Sequence, residues 1–279
     1  MTSSGGRLVL VATPIGNLAD LSPRAVSVLA GADVIAAEDT RRTRALLTHA
    51  GVSGTLTSYH DHNEAVRTGP LLDRVEAGET VALVTDAGTP GLADPGFRLV
   101  REAVERGLRV EAVPGPAAVV QALVLSGLPL DRFAFEGFLP RKAGARARRL
   151  AELAQDPRTL VFYVTPHRAA ADLEAMAAAL GGRPAALCRE LTKLHEEVWR
   201  GPLPDLAARA TAQGVRGEVT LVVGGAPPVS PAPVTDAELA ARVRALLATG
   251  LDRKAAVARV AAAADVPKRR VYAAATGSS

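Results

Sequence analysis

Short apolar runs alternate with amphipathic segments over the first half of the chain. Runs rich in β-branched residues are typical of strands buried on both faces, and they occupy residues 7–13, 33–38, 55–59, 80–85 and 109–113. Between them, apolar positions recur with a helical period, and the segments begin at capping residues such as Ser22 and Thr40. This alternation predicts a parallel-dominated sheet that is covered by helices.

A second series of strands and helices follows a linker at residues 139–144. Its strands are predicted at residues 159–164, 185–190, 196–201 and 218–223, with helices around and between them. Phe133, Phe135 and Phe138 alternate just before the linker, and we interpret them as core residues. The predicted fold class is therefore α/β, with two α/β domains that share a cleft.

The last part of the chain has a different pattern. Residues 225–234 are rich in glycine and proline, which is typical of a stiff linker. Beyond it there are only helix signals, with turns at residues 249–252 and 265–267. The predicted division is an N-terminal α/β domain at residues 1–138, a C-terminal α/β domain at 139–224, a linker at 225–234 and a basic helical appendage at 235–279.

The composition excludes several classes of protein. Apolar residues make up 48% of the chain and charged residues 22%, as in globular proteins. Because no apolar run has the length of a membrane span and the first residues lack the features of a signal peptide, we expect a cytoplasmic protein. The single cysteine, Cys188, excludes internal disulfides and a multi-cysteine zinc site, and we expect it to pack as a small apolar residue.

Basic residues are clustered along the sequence. Eight basic and two acidic residues lie between Arg242 and Arg270, whereas the formal charge of the whole chain is only +4. Two smaller basic clusters occupy residues 41–44 and 141–149. Clusters on a nearly neutral body indicate a polyanionic partner, and solvated helix faces are the alternative explanation.

The segment VTDAGTPGLADPG, residues 84–96, connects a predicted strand to a helix predicted at residues 95–107. Its three glycines and two prolines are expected where backbone approaches a ligand, and an elaborate turn without a ligand is the alternative. Residues 13–20 and 113–118 follow two other strands and are also rich in small residues. Ligands of open α/β sheets bind at such strand ends. The absence of G-x-G-x-x-G and of a phosphate-loop lysine argues against a dinucleotide or nucleoside-triphosphate site.

These loops resemble those of a known family. TPIGNLADL (13–21), VTDAGTPGLADPG and VPGPAAVVQALVLSGLP (113–129), with AAEDTRRT (36–43) between the first two, resemble the tetrapyrrole-methylase superfamily. Within it, they are similar to the branch that methylates the 2′-hydroxyl of a cytidine ribose in 16S ribosomal RNA, because the G-x-G-P-G and G-G-D-P loops of tetrapyrrole-modifying relatives are missing. The resemblance covers residues 8–224 and continues more weakly through the C-terminal helices.

The resemblance implies a cofactor, a partner and an assembly. It implies two domains of the tetrapyrrole-methylase type with S-adenosyl-L-methionine folded in the cleft between them, no metal, a homodimer, and 16S ribosomal RNA or the small ribosomal subunit as partner. The cofactor-binding residues that it implies are Pro14, Ile15, Asp86, Gly88, Thr89, Pro90, Leu92, Ala93, Pro114, Ala117, Ala118, Val164, Thr165, Leu187 and Val219.

Methyl transfer from a sulfonium to a ribose hydroxyl needs in-line positioning and help in removing the hydroxyl proton. We predict that Glu38 and Asp39, at the end of the second strand, are catalytic, and capping of the following helix is the alternative role. Asp61, Glu64 and Glu190 are the next candidates for the base.

Eight polar or basic residues are predicted to bind RNA: Arg41, Arg42, Arg44, His60, Arg141, Lys142, Arg189 and Lys193. For Arg189 and Lys193, ion pairs within their own domain are the alternative. His60 could instead belong to a plain surface loop or form a metal pair with His62. The alternatives to RNA methylation as a whole are methylation of a tetrapyrrole and a non-catalytic RNA-binding protein.

Overall fold

The computed structural model describes residues 5–228 and 234–277, and it contains alternating strands and helices. The strands are β1 Arg7–Val11, β2 Val34–Ala37, β3 Leu56–Ser58, β4 Thr80–Val84, β5 Arg109–Val113, β6 Phe133–Phe138, β7 Thr159–Val164, β8 Pro184–Arg189, β9 Glu197–Pro202 and β10 Val219–Val223. The helices are α1 Pro23–Ala30, α2 Thr40–His49, α3 Glu64–Glu76, α4 Phe97–Glu105, α5 Ala118–Ser126, α6 Ala143–Leu153, α7 Ala169–Leu180, α8 Leu203–Gln213, α9 Asp236–Ala248, α10 Arg253–Ala264 and α11 Lys268–Thr276. The chain divides into two units, Met1–Ala226 and Pro227–Ser279.

The first sheet is entirely parallel and has the strand order β3-β2-β4-β1-β5. Successive residues of its strands enter different clusters: Leu8 packs with Leu72 and Leu99, whereas Val9 packs with Leu29 and Leu47. This alternation is the reason why the central strands are apolar throughout, since helices cover both faces of the sheet. The predicted parallel-dominated sheet is confirmed, and its strands end at one edge.

The second sheet is mixed, with the order β6-β7-β10-β8-β9. Only β6 and β7 are parallel, and the other neighbours are antiparallel. Helices α6, α7 and α8 cover one face, where Leu150, Leu173 and Leu203 are buried with residues of the sheet. The predicted α/β class is therefore confirmed for this half as well, although its connections differ from simple parallel crossovers.

Helix α5 packs on the other face of the second sheet. Its residues Val119 and Ala122 share a buried cluster with Val161, Cys188 and Val222 of the second sheet. Cys188 is fully buried, which confirms its expected role as a small apolar residue, and this burial raises the pKa of its thiol to about 11. The half of the first unit that contains the first sheet and α5 therefore shares part of one core with the half that contains the second sheet.

Strand β6 corrects the interpretation of the three phenylalanines. Phe133 and Phe138 are 44% and 53% exposed, so they are not core residues. The register of β6 against β7 shifts between Phe135 and Gly137, and Gly137 has φ +62°. This bulge places Phe135 and Phe138 on the same side, where both rings contact Tyr163.

The unit Pro227–Ser279 has its own apolar core, which includes Leu239, Val257 and Val271. A capping box of Thr235 and Glu238 begins α9, and the Asp252 side chain caps α10. The predicted turns between the three helices are confirmed. Of the predicted linker, residues 229–233 lie outside the described residues. No helix in the described part of the chain is long and apolar enough to cross a membrane.

Candidate functional site

Three loops meet at the edge where the strands of the first sheet end. Thr13 and Gly88 join the loops after β1 and β4 by two backbone hydrogen bonds, from Thr13 N–H to Gly88 O at 2.9 Å and from Gly88 N–H to Thr13 O at 3.0 Å. The Thr89 hydroxyl donates to the Pro116 carbonyl at 3.4 Å and so reaches the loop after β5. The adjacency of β4, β1 and β5 in the sheet thus brings together loops that are distant in sequence.

The loop after β4 has an unusual backbone. Gly88, Gly91 and Gly96 have φ of +84°, +84° and +140°, and Ala93 has φ +65° despite its β carbon. Such strain in a non-glycine residue is held only where the surroundings fix it, and it is concentrated at functional sites. Helix α4 begins at Phe97 rather than near the predicted Pro95, because the Gly96 conformation is not helical.

A cavity of about 630 Å³ lies between these loops and the second sheet. The cavity is lined by ten of the residues that the sequence predicts to bind the cofactor: Ile15, Gly88, Thr89, Leu92, Ala93, Ala117, Ala118, Val164, Thr165 and Val219. Both halves of the first unit contribute to this set. The hydroxyl of Thr165 is buried and has no hydrogen-bond partner among the described residues, so one wall carries an unsatisfied polar group.

The remaining predicted cofactor residues lie elsewhere. Pro14 and Asp86 line a second cavity of about 240 Å³ on the α2 side of the first loop. Pro90, Pro114 and Leu187 line neither cavity, and Leu187 is fully buried in the core of the second sheet. Strand alternation explains the last case, because neighbouring residues of a strand point to opposite faces.

An ion-pair network forms one polar wall of the main cavity. The Lys193 ammonium lies 2.9 Å from Glu190 Oε1 and 3.1 Å from Glu218 Oε2. The backbone N–H of Glu218 and the Lys193 side chain hold the pKa of Glu190 below its usual range. Lys193, predicted to bind RNA, is thus engaged in an ion pair within its own domain.

The predicted catalytic carboxylates lie at the end of β2 and are hydrogen-bonded to the end of β4. Asp86 N–H donates to Glu38 Oε2 at 3.2 Å, and Asp39 N–H donates to Asp86 Oδ1 at 3.1 Å. Asp39 caps α2 and forms a two-pronged ion pair with Arg41, whose side-chain and backbone donors lower the pKa of Asp39. Burial raises the pKa of Glu38, and the donated N–H of Asp86 partly offsets that rise.

Asp94 is a site residue that the sequence interpretation did not single out. It lines both the main cavity and a third cavity of about 280 Å³ on the side of α3 and α4. Burial raises the pKa of Asp94 to about 7, and the negative charges of Glu38, Asp86 and Asp61 add to the rise. The sequence signal was its place in the glycine-rich loop, directly after Ala93.

The predicted RNA-binding residues divide into two groups by their partners. Arg41 pairs with Asp39, Arg42 with Asp86 at 3.3 Å, and Arg189 with Glu197 at 2.8 Å. Apart from His60, the members without an ion pair to any described residue are Arg44, Arg141 and Lys142, all of which are exposed. Only this second group has charge available for a polyanion without breaking an existing pair.

His60 lies in the loop before α3 beside His62, with ring centroids 6.0 Å apart. Its Nε2 lies 3.2 Å from Asn63 Nδ2, while its Nδ1 is buried and has no partner among the described residues. The described residues contain no group of three or more histidine, cysteine, aspartate or glutamate side chains that could hold a metal ion.

Comparison with known proteins identifies the family. The family of Tetrapyrrole (Corrin/Porphyrin) Methylases matches residues 7–207, which include all three loops, the first sheet and every strand of the second sheet except β10. The chain belongs to the tetrapyrrole methylase family. The resemblance noted in the sequence is thereby confirmed at the level of the family.

Relatives within the tetrapyrrole methylases match almost the whole chain. A protein of Mycobacterium tuberculosis named "Ribosomal RNA small subunit methyltransferase I" is 50% identical over 96% of this chain and 94% of its own length. A Synechocystis protein of the same name is 46% identical, with 96% of each chain covered. These matches extend into the helical unit, which the family match does not include.

Several solved structures share the fold. Uroporphyrin-III C-methyltransferase of Thermus thermophilus, complexed with S-adenosyl homocysteine, has a TM-score of 0.54 and 22% identity, over 79% of this chain and 97% of that one. Diphthine synthase has a TM-score of 0.58 and 15% identity, over 78% and 89%. At these identities the likeness concerns the fold alone, and it confirms the two-domain α/β class.

Proposed function

We propose that this chain transfers a methyl group from S-adenosyl-L-methionine to ribosomal RNA of the small subunit, at the 2′-hydroxyl of a cytidine in 16S RNA. The observation that carries the proposal is the similarity to a protein named "Ribosomal RNA small subunit methyltransferase I". The two sequences are 50% identical, and the match covers 96% of this chain. The cavity at the three loops supplies the site for it.

The residues of the main cavity fit S-adenosyl-L-methionine. Apolar side chains such as Ile15, Leu92 and Val219 form most of its walls, and the cavity volume suits a ligand of this size. The unsatisfied Thr165 hydroxyl offers a hydrogen bond, and the carboxylates of Glu190, Glu218 and Asp94 favour a cationic ligand. When bound, the cofactor supplies an activated methyl group on a positively charged sulfur.

The chain's own residues have three tasks in this reaction. The loops after β1, β4 and β5 hold the cofactor through main chain and small side chains, and the apolar walls exclude water. The exposed and unpaired Arg44, Arg141 and Lys142 bind RNA phosphates. Glu38 and Asp39 remain the carboxylates that the sequence predicts for catalysis.

RNA is favoured over a tetrapyrrole as the acceptor by the distribution of charge. In the helical unit, the basic residues without an ion pair to a described residue are Arg242, Arg244, Arg253, Lys254, Arg259, Lys268 and Arg269. These charges are spread over three helices, and such a distribution suits a long polyanion with many phosphates better than a single macrocycle that binds in one cavity. A homodimer and a cytoplasmic location stay predictions that accompany this proposal.

A methyl-transfer assay tests the proposal directly. The purified chain is incubated with tritiated S-adenosyl-L-methionine and, in parallel, undermodified small subunits, naked 16S RNA and a porphyrinogen. Label in RNA, at a ribose that becomes resistant to alkaline cleavage, is the expected result. Label in the porphyrinogen alone would support the tetrapyrrole alternative, and cofactor-independent RNA binding without label would support the non-catalytic one.

A further inference from the structure

Asp94 is the carboxylate that joins two cavities of the first unit. Asp94 is half-buried, and it contributes to the wall of the main cavity and to the wall of the third cavity. A substrate that enters along the third cavity therefore meets Asp94 at the boundary of the proposed cofactor site. Among the residues that the structure describes, Asp94 alone lines both of these cavities.

Asp94 is also free of the bonds that occupy its neighbours. It has no hydrogen bond or ion pair with any described residue, and α4 begins without a side-chain cap, so Asp94 has no capping role. By contrast, Asp39 is held by Arg41, Asp86 by Arg42, and Glu38 accepts the Asp86 N–H. A carboxylate that keeps its lone pairs free can accept a proton without breaking an existing interaction.

The cations around Asp94 are already neutralised by other carboxylates. In the third cavity, Arg98 pairs with Glu64 at 3.5 Å and Arg101 with Glu105 at 3.4 Å. Lys193 is the one basic residue that the described part of the chain contributes to the lining of the main cavity, and it pairs with Glu190 and Glu218.

The remaining ionisable groups that face Asp94 make its charged form less favourable. They are Glu38, Asp61 and Asp86 at the ends of the first sheet. Tyr163 of β7 also lines the main cavity, and the charge of Asp94 helps to raise the pKa of the Tyr163 hydroxyl. Because burial and these charges raise the pKa of Asp94 to about 7, its carboxylate gains a proton more readily than an ordinary aspartate and still releases it near neutral pH.

We propose that Asp94 accepts the proton of the RNA hydroxyl during methyl transfer, in place of Glu38 or Asp39. This inference rests on the proposed function, and it assigns the base of that same site. As the bond between the hydroxyl oxygen and the methyl carbon forms, the carbon–sulfur bond breaks and its electron pair stays on sulfur. The hydroxyl proton passes to an Asp94 carboxylate oxygen and from there to water.

The test compares the rate of single-turnover methylation in four proteins as a function of pH. For the parent chain, the rate should rise with pH to a plateau, with a midpoint well above the usual range of an aspartate. Asp94→Asn should lower the plateau by about 10²-fold, the usual scale for loss of a general base, and remove this midpoint, with cofactor affinity nearly unchanged. Glu38→Gln and Asp61→Asn should each move the midpoint to lower pH, because each removes a negative charge near Asp94.

A second readout uses the protein without cofactor or RNA. A folded-state pKa raised from 3.8 to about 7 means that the folded protein binds this proton more tightly than the unfolded chain does. The stability that protonated Asp94 contributes to the parent is therefore lost as pH rises from about 4 to about 7. Asp94→Asn lacks this loss, so its melting temperature should match the parent's near pH 4 and exceed it at pH 8.

Each outcome is decisive for one of the two proposals. If the parent chain methylates no RNA, the proposed function fails irrespective of Asp94. If it does and Asp94→Asn keeps the parental rate and midpoint, the assignment of Asp94 is wrong. A 10²-fold loss in Glu38→Gln or Asp61→Asn, with Asp94→Asn active, would move the role to that residue.

Discussion

Thr13 and Gly88 exchange two backbone hydrogen bonds although 75 positions separate them in the sequence. This isolated bridge holds the loop after β1 against the loop after β4. It divides the main cavity, which Gly88 and Ile15 line, from the second cavity, which Thr13 and Pro14 line. The part of the main cavity wall that Gly88 forms is therefore fixed by backbone hydrogen bonds rather than by side chains that could change rotamer.

Gly88→Val should weaken binding of S-adenosyl-L-methionine by at least about tenfold, as measured by calorimetry without added metal. The φ of +84° is unfavourable for valine, and a β carbon at Gly88 would lie 3.4 Å from Ile15 Cγ2 at the cavity wall. Gly107→Val is the matched control, because Gly107 also has a positive φ, +69°, but has open space around it. Equal affinity in both variants would remove Gly88 from the cofactor site.

Thr165→Val tests whether the ligand uses the unsatisfied hydroxyl in the main cavity. Valine has nearly the same shape, so cofactor affinity should fall by about five- to tenfold, the scale of one hydrogen bond. Stability of the free protein should stay equal or rise, because a buried hydroxyl without a partner is removed. Thr85→Val removes a second such hydroxyl outside the main cavity and should leave affinity unchanged. A loss in the Thr85 variant alone would contradict the assignment.

Replacing Arg44, Arg141 and Lys142 together by alanine should weaken RNA binding and flatten its salt dependence. Each phosphate contact on a single strand contributes about 0.7 to the slope of log affinity against log salt, so the slope should decrease by up to about 2. Arg189→Ala should change the slope less, since Arg189 is paired with Glu197. Filter binding at several salt concentrations measures both, and a larger effect of Arg189→Ala would reverse the ranking.

Truncation after Ala226 should leave cofactor affinity intact and weaken RNA binding. The helical unit has its own core, and the family match ends well before it begins. The control is the full chain in which the seven unpaired basic residues of the unit are changed to glutamine, which keeps the fold and removes the charge. RNA affinity equal to the parent's in both proteins would assign the unit a purely structural role.

Much of the first sheet and the positions of the three loops could be predicted from the sequence. Strand runs between capping residues determine β1 to β5, and their parallel order brings the loops to one edge. The bulge in β6 could not be predicted, because the conformation of Gly137 depends on pairing with β7. The role of Asp94 was missed for a related reason. A sequence shows that a carboxylate is present, but the hydrogen bonds that occupy Glu38, Asp39 and Asp86 exist only in the folded chain.

A single buried cluster joins α5 to the second sheet and so couples ligand binding to unfolding. It contains Val119 and Ala122 of α5 together with Val161, Cys188 and Val222. Separating the two halves of Met1–Ala226 would expose this cluster to water, so the halves are expected to denature in one cooperative transition. A ligand in the main cavity then raises the melting temperature of the whole unit, including helices that do not line the cavity, such as α3 and α8. Thermal shift can therefore report occupancy of the site even where no probe lies near it.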